Sequence, residues 1–262
     1  MRLLKSFSTA LSALLIMCAA DCDAVPFRVR DATGNLHEFY RPPKRVISLV
    51  PSITEEIFQL KADDLLVGVT DYCIYPEAAK KKEKVGKFMP PNVEKIVMLK
   101  TDLIFAIDKG LSPEAVNKLK RLKLKVYMFK QFGSFSEICD GFLVLSRILG
   151  KKKEGSFIIN DAKMMSDEIQ KAASTLPKTR IFMEIGSEPL VTVGRNSYLN
   201  EMIEMAGGKN IVEVKKIKYP VYSREAVLAQ NPDAIVIVSM GEITGGEKDE
   251  WSRYKTLKAA AD

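Results

Sequence analysis

The stretch NVEKIVMLKTDLIFAI (Asn92–Ile107) can be laid over SREAVLAQNPDAIVIV (Ser223–Val238) without a gap, and in that register Glu94 faces Glu225 and Asp102 faces Asp233. Each copy predicts a short helix and then a strand. Asn92 and Ser223 suit the position before a helix, because a short side-chain oxygen accepts from the orphan amides of the first turn. Ile96, Val97 and Leu99 in one copy, and Val227 and Leu228 in the other, supply an apolar helix face. Leu103–Ile107 and Ala234–Val238 are continuous apolar runs, the signature of strands covered on both faces in a parallel sheet.

Outward from this repeat, residues 45–50 and 180–185 predict an earlier strand in each half. A helix follows each: Ile53–Leu60, with Thr54 and Glu55 near its start, and Ser197–Ala206, ending in Gly207-Gly208. Strand, helix, strand, helix, strand in both halves is the pattern of an α/β lobe. Between the halves, Ile138, Phe142, Leu145 and Leu149 recur at helical spacing up to Gly150. Ile158, Ala162, Met165, Ile169, Ala172 and Leu176 then continue to Pro177. This second helix, about 24 residues from Lys152, would be roughly 36 Å long and stiff. The expected architecture is α/β: two Rossmann-like lobes (25–150 and 177–262) joined by a rigid helix (151–176), with a ligand cleft between the lobes.

The first residues combine a basic start (Arg2, Lys5), an uncharged run from Ser6 to Ala20 and small residues near Ala24. Residues 1–24 therefore read as an export signal, with acylation of Cys18 as a lipoprotein the competing reading. The expected location is the periplasm. The formal net charge is +7, and removing residues 1–24 leaves it unchanged, since Arg2 and Lys5 go with Asp21 and Asp23. The lysines sit in scattered polar turns, with no aromatic-interleaved basic stripe, so nucleic acid is not an expected partner. Cys73 and Cys139 remain after cleavage, either bridged in an oxidising compartment or as two unpaired small residues. His37 is the only histidine, which removes histidine-rich transition-metal sites, and no metal ligands are assigned.

The rival class is an enzyme on a two-lobed α/β scaffold. The chain has no G-x-G-x-x-G fingerprint, no P-loop and no G-x-S-x-G elbow; Gly241–Gly246 has the wrong glycine spacing, and His37 reads as part of an amino-terminal hairpin. No catalytic residues are assigned and no enzyme is expected. The long connection from Val67 to Ile96 is instead read as one lip of a ligand site, because long connections inside compact domains are usually functional or disordered. Tyr72, Tyr75, Phe88, Met89 and Pro90-Pro91 give it the aromatic and aliphatic chemistry that suits a large flat ligand, after a strand where open α/β sheets place their ligands.

KRVISLVPSITE (Lys44–Glu55), VGVTDYCIYP (Val67–Pro76) and VGKFMPPNVEKI (Val85–Ile96) together resemble the helical-backbone periplasmic binding proteins of bacterial ABC importers, over about residues 26–258. The cobalamin-binding members are closest in pattern; other members bind ferric siderophores or haem. The resemblance implies a monomeric receptor, without a cofactor of its own, that captures a small molecule, cobalamin, and delivers it to an ABC-transporter permease dimer. Tyr72 matches a family tyrosine that contacts the corrin. Phe88 and Tyr219 stand where the family has tryptophans, and Ile107 replaces another. Arg195 or Arg224 could serve an anionic siderophore. Glu94 and Glu225 match glutamates that bind permease arginines, as a pseudo-twofold pair docks on two symmetric basic pockets. Family members continue for roughly a strand and a long helix beyond the position of Asp262, so the second lobe is expected to lack its C-terminal part.

Overall fold

The computed structural model describes residues 26–87, 90–108, 110–238 and 246–260. The expected export signal, Phe88 and Met89 lie outside the described residues. In chain order the elements are β1 (Phe27–Arg30), β2 (Leu36–Phe39), β3 (Val46–Ser48), α1 (Pro51–Gln59), β4 (Leu66–Val69), α2 (Val93–Met98), β5 (Leu103–Ile107), α3 (Pro113–Arg121), β6 (Val126–Phe129), α4 (Phe135–Ile148), α5 (Lys152–Ala173), β7 (Thr179–Ser187), β8 (Leu190–Thr192), α6 (Tyr198–Met205), β9 (Gly208–Asn210), α7 (Arg224–Gln230), β10 (Ala234–Ile237) and α8 (Gly246–Ser252). The chain divides into two compact units. One takes the described residues up to Pro51 with 64–128 and 148–150; the other takes 52–63, 129–147 and the described residues from Lys151 onward.

In the first unit the strands run in the order β4-β3-β5-β6, and β3 pairs in parallel with both β4 and β5. Val46, Ile47, Leu103, Ile104 and Phe105 are all buried. Successive strand residues point to opposite faces, so both faces of this sheet are covered, as continuous apolar runs require. The expected amino-terminal hairpin is β1 with β2, antiparallel, with Phe27 stacked on Phe39. His37 belongs to it, its Nε2 2.9 Å from the Asp31 carboxylate.

The second unit is built along β7, which is nine residues long. Its first residues pair in parallel with β9, its middle with β10, and its end antiparallel with β8. One expectation fails here. Residues 234–238 are not covered on both faces: β10 has β7 as its one strand partner among the described residues, and Val236 and Val238 are exposed. Only the side bearing Ile235 and Ile237 packs, against the cluster around Phe182 and Trp251. The expected long helix is α5, and its buried positions are Gly155 and Ile159; Met165 and Ile169 are exposed, and Leu176 lies exposed beyond the helix end. A Cβ on Gly155 would stand 2.3 Å from Ser146 Oγ, so α4 and α5 pass too closely for any larger residue. Cys73 and Cys139 are both buried and form no disulfide.

Candidate functional site

The connection after β4 is folded back onto its own strand. Val69 N–H donates to Glu83 O, Val85 N–H to Val69 O, and Asp71 N–H to Gly86 O, at 2.9–3.0 Å. The Lys84 ammonium closes the loop by donating to the carbonyls of Cys73, Thr70 and Ala79 at 3.0–3.4 Å. Cys73, Ala79 and Val85 are buried and anchor the segment. The consequence lies in what remains outside. Tyr72, Ile74 and Tyr75 are 56%, 53% and 66% exposed, although a loop of this length had every chance to tuck them inward. Large apolar side chains held in water on a fixed frame are the usual mark of a surface awaiting a ligand.

In the second unit, residues 214–222 run as an irregular segment, bent at 216, 218 and 219, beside β8 and the turn after it. Thr192 N–H donates to Pro220 O, Gly194 N–H to Lys218 O, and Arg195 N–H to Val214 O. The approach is close because residue 194 is glycine: a Cβ there would lie 2.0 Å from Ile217 O. Tyr219 rides on this segment, 41% exposed, between exposed Ile217 and Val221. Partial burial, with the neighbouring Tyr198 hydroxyl adding to it, raises the Tyr219 phenol above its ordinary range, so it stays a neutral hydrogen-bonding ring.

Glu94 and Glu225 occupy the same helical position in α2 and α7. Asn92 Oδ1 accepts from Lys95 N at 3.0 Å, and Ser223 Oγ accepts from Ala226 N at 3.1 Å, so each glutamate is the second residue after its cap. Both are exposed, and neither carboxylate has a hydrogen-bond or ion-pair partner among the described residues. Val97, expected on the apolar face of α2, is exposed as well; Val93 and Ile96 are the residues that face the core. Carboxylates in a first turn favour the positive helix end, but two unpartnered ones at matched positions are also free to take an outside cation.

The structure thus places Tyr72 and Glu94 in the first unit and Tyr219 and Glu225 in the second. Phe88 lies outside the described residues. Ile107 ends β5, partly exposed. The arginines considered for an anionic ligand are already engaged. Arg195 Nη2 is 2.6 Å from Glu213 Oε1 and also donates to Asn210 O, and Arg224 Nη2 is 2.9 Å from Glu250 Oε2. Sequence reading missed Ile74, Ile217 and Val221. Their only signal was apolar character next to a candidate aromatic, which does not separate exposed from buried positions. Among the described residues no group of three or more His, Cys, Asp or Glu side chains is arranged to hold a metal ion.

Residues 46–258 match the family described as periplasmic binding protein. The chain is 31% identical over 243 residues to an uncharacterized ABC transporter substrate-binding lipoprotein, YvrC, of Bacillus subtilis, covering 90% of this chain and 77% of that protein. The crystal structure of the periplasmic vitamin B12 binding protein BtuF of Vibrio cholerae superposes with a TM-score of 0.68 at 29% identity, covering 84% of this chain and 85% of that one. A periplasmic haem binding protein from Pseudomonas aeruginosa shares the fold, with a TM-score of 0.75 at 21% identity over 83% of this chain and 81% of that one. Family match, α/β architecture and exposed aromatic loop agree: the chain belongs to the periplasmic binding protein family.

Proposed function

We propose that this protein is the exported, monomeric receptor of an ABC importer that captures cobalamin, with residues 1–24 as its export signal. The residues assigned to the ligand are Tyr72, exposed on the loop after β4, Tyr219, exposed on the segment beside β8, and Phe88. The observation that carries this reading is the braced loop with Tyr72, Ile74 and Tyr75 held outward. A corrin is broad, flat and largely apolar, and such ligands are held by aromatic and aliphatic surfaces with few polar groups. The likeness to BtuF of Vibrio cholerae supports the same ligand class. A siderophore is disfavoured because Arg195 and Arg224 are already neutralised by glutamates. Haem is the second reading, since an exposed tyrosine such as Tyr72 or Tyr75 can ligate haem iron.

Titrating the purified protein with cyanocobalamin, haemin and a ferric catecholate separates these ligands. Cyanocobalamin is expected to bind, and Tyr72→Ala and Tyr219→Ala are each expected to weaken it by about tenfold, the loss of one large aromatic contact. Saturable binding of haemin alone would overturn the corrinoid reading.

Glu94 and Glu225 are proposed to dock the loaded receptor on the permease. The double change Glu94→Lys and Glu225→Lys is expected to abolish cobalamin uptake by cells while leaving cyanocobalamin affinity unchanged, because like charges across a docking surface repel. A matching loss of affinity would place these residues in the ligand site instead.

A further inference from the structure

The duplication reaches beyond the two stretches that align by eye. Arg45 stands immediately before β3, and Arg180 is the second residue of β7. Arg45 Nε and Nη2 both donate to Leu99 O, at 3.0 and 2.8 Å; Arg180 Nη2 donates to Gln230 O at 2.7 Å and its Nη1 to Asn231 O at 3.1 Å. Leu99 and Gln230 are the same position of the repeat. The next residue is left-handed in both copies, Lys100 at φ 47° and Asn231 at φ 45°. Two residues further on, the Asp102 carboxylate accepts from the backbone amides of Lys44 and Arg45 at 2.8 and 3.1 Å, and the Asp233 carboxylate accepts from that of Arg180 at 2.9 Å. The backbone answers in kind: Asp102 N–H donates to Arg45 O and Asp233 N–H to Arg180 O. The arginine and aspartate of each half form one staple, from strand start to helix end.

The pairings β3–β5 and β7–β10 already join the strands without these arginines. What the guanidinium adds is a charged fork on the last carbonyls of α2 or α7, groups that no intrahelical amide satisfies. Both helices are short, six and seven residues, well below the length that is stable unaided. Beyond the packing of Val93, Ile96 and Val227, their direction depends on ties at both ends: the Asn92 or Ser223 cap at one, the arginine at the other. The capped end of each carries Glu94 or Glu225.

We propose that Arg45–Asp102 and Arg180–Asp233 are a duplicated positioning device that holds Glu94 and Glu225 in one matched geometry for a partner with two equivalent basic sites. The inference rests on the docking role proposed above. Its test uses Arg45→Lys with Arg180→Lys in the full chain, which keeps the net charge but replaces each planar fork by a single ammonium. Four quantities are read: amide exchange across α2 and α7, thermal midpoint, cyanocobalamin affinity, and association with the importer's permease complex in lipid nanodiscs. Exchange over residues 96–100 and 227–231 is expected to quicken by about tenfold, the loss of roughly one charge-assisted bond. Association should weaken by a similar factor, about tenfold, with midpoint within a few degrees and cyanocobalamin affinity unchanged. Unchanged exchange would overturn the proposal, as would faster exchange with unchanged association. If the double lysine variant unfolds, Arg180→Lys alone must show the same changes confined to α7, and a failure to do so overturns it. Glu94→Lys with Glu225→Lys, run in parallel, shows which idea has failed: undiminished association there defeats the docking reading itself, whereas lost association there with intact association in the arginine variants defeats only the staples.

Discussion

Trp251→Ala is expected to lower the unfolding free energy of the second unit by about 3–5 kcal/mol, the range for truncating a buried large aromatic. Trp251 is buried beside Phe182, with ring centroids 5.8 Å apart in an edge-on arrangement, and its Nε1 donates to the buried Glu184 carboxylate at 2.6 Å. The substitution removes apolar contact with Phe182 and Tyr254 and takes a donor away from a buried carboxyl group, and the two losses act in the same direction. Urea unfolding followed by far-UV circular dichroism checks the size. Trp251→Phe should recover much of the packing but not the hydrogen bond, leaving a deficit of about 1–3 kcal/mol. A deficit under 1 kcal/mol for the alanine variant would show that α8 is not part of this core.

Gly194→Ala is expected to cost about 3 kcal/mol, the upper end for overpacking, and to weaken ligand binding as well. The added methyl would sit 2.0 Å from Ile217 O and 3.0 Å from Val214 O, and both neighbours are backbone, which cannot swing aside like a side chain. The segment bearing Tyr219 would have to move off β8, carrying its aromatic ring with it. Gly186→Ala provides the comparison, because a Cβ there meets Val191 at an ordinary 3.5 Å. Differential scanning calorimetry with a cyanocobalamin titration reads both effects. Equal behaviour of the two variants would mean that the 214–222 segment does not depend on close approach at Gly194.

The repeat was readable in the amino acids wherever local chemistry dictates structure. Asn92 and Ser223 cap their helices as expected, residues 103–107 form the expected strand, and Gly150 and Gly207 adopt the left-handed conformations expected of chain stops. The left-handed position at Lys100 was not readable, since a lysine carries no preference for that region, whereas asparagine, as at Asn231, is enriched there. Nor were the arginine forks, which span 50 to 54 residues of sequence. Of the candidate site, residue type pointed to Tyr72, Tyr219, Glu94 and Glu225. That Tyr72 faces water, while its neighbour Cys73 is buried, depends on Lys84 gathering three carbonyls eleven and more residues away in two cases and five in the third.

Periodicity failed in one characteristic way. It marked Val97 and Val236 as covered, and both are exposed. Apolar spacing states which side of a helix or strand is greasy; only the packing of distant elements determines whether anything lies against that side. Capping, the alternation of strands and helices and family membership were therefore encoded in short stretches of chain, because hydrogen-bonding and side-chain shape act over a few residues. Which tyrosines stand in solvent, and which arginines are already bound to glutamates, emerged only on folding, because burial and ion pairing are settled between residues far apart in sequence.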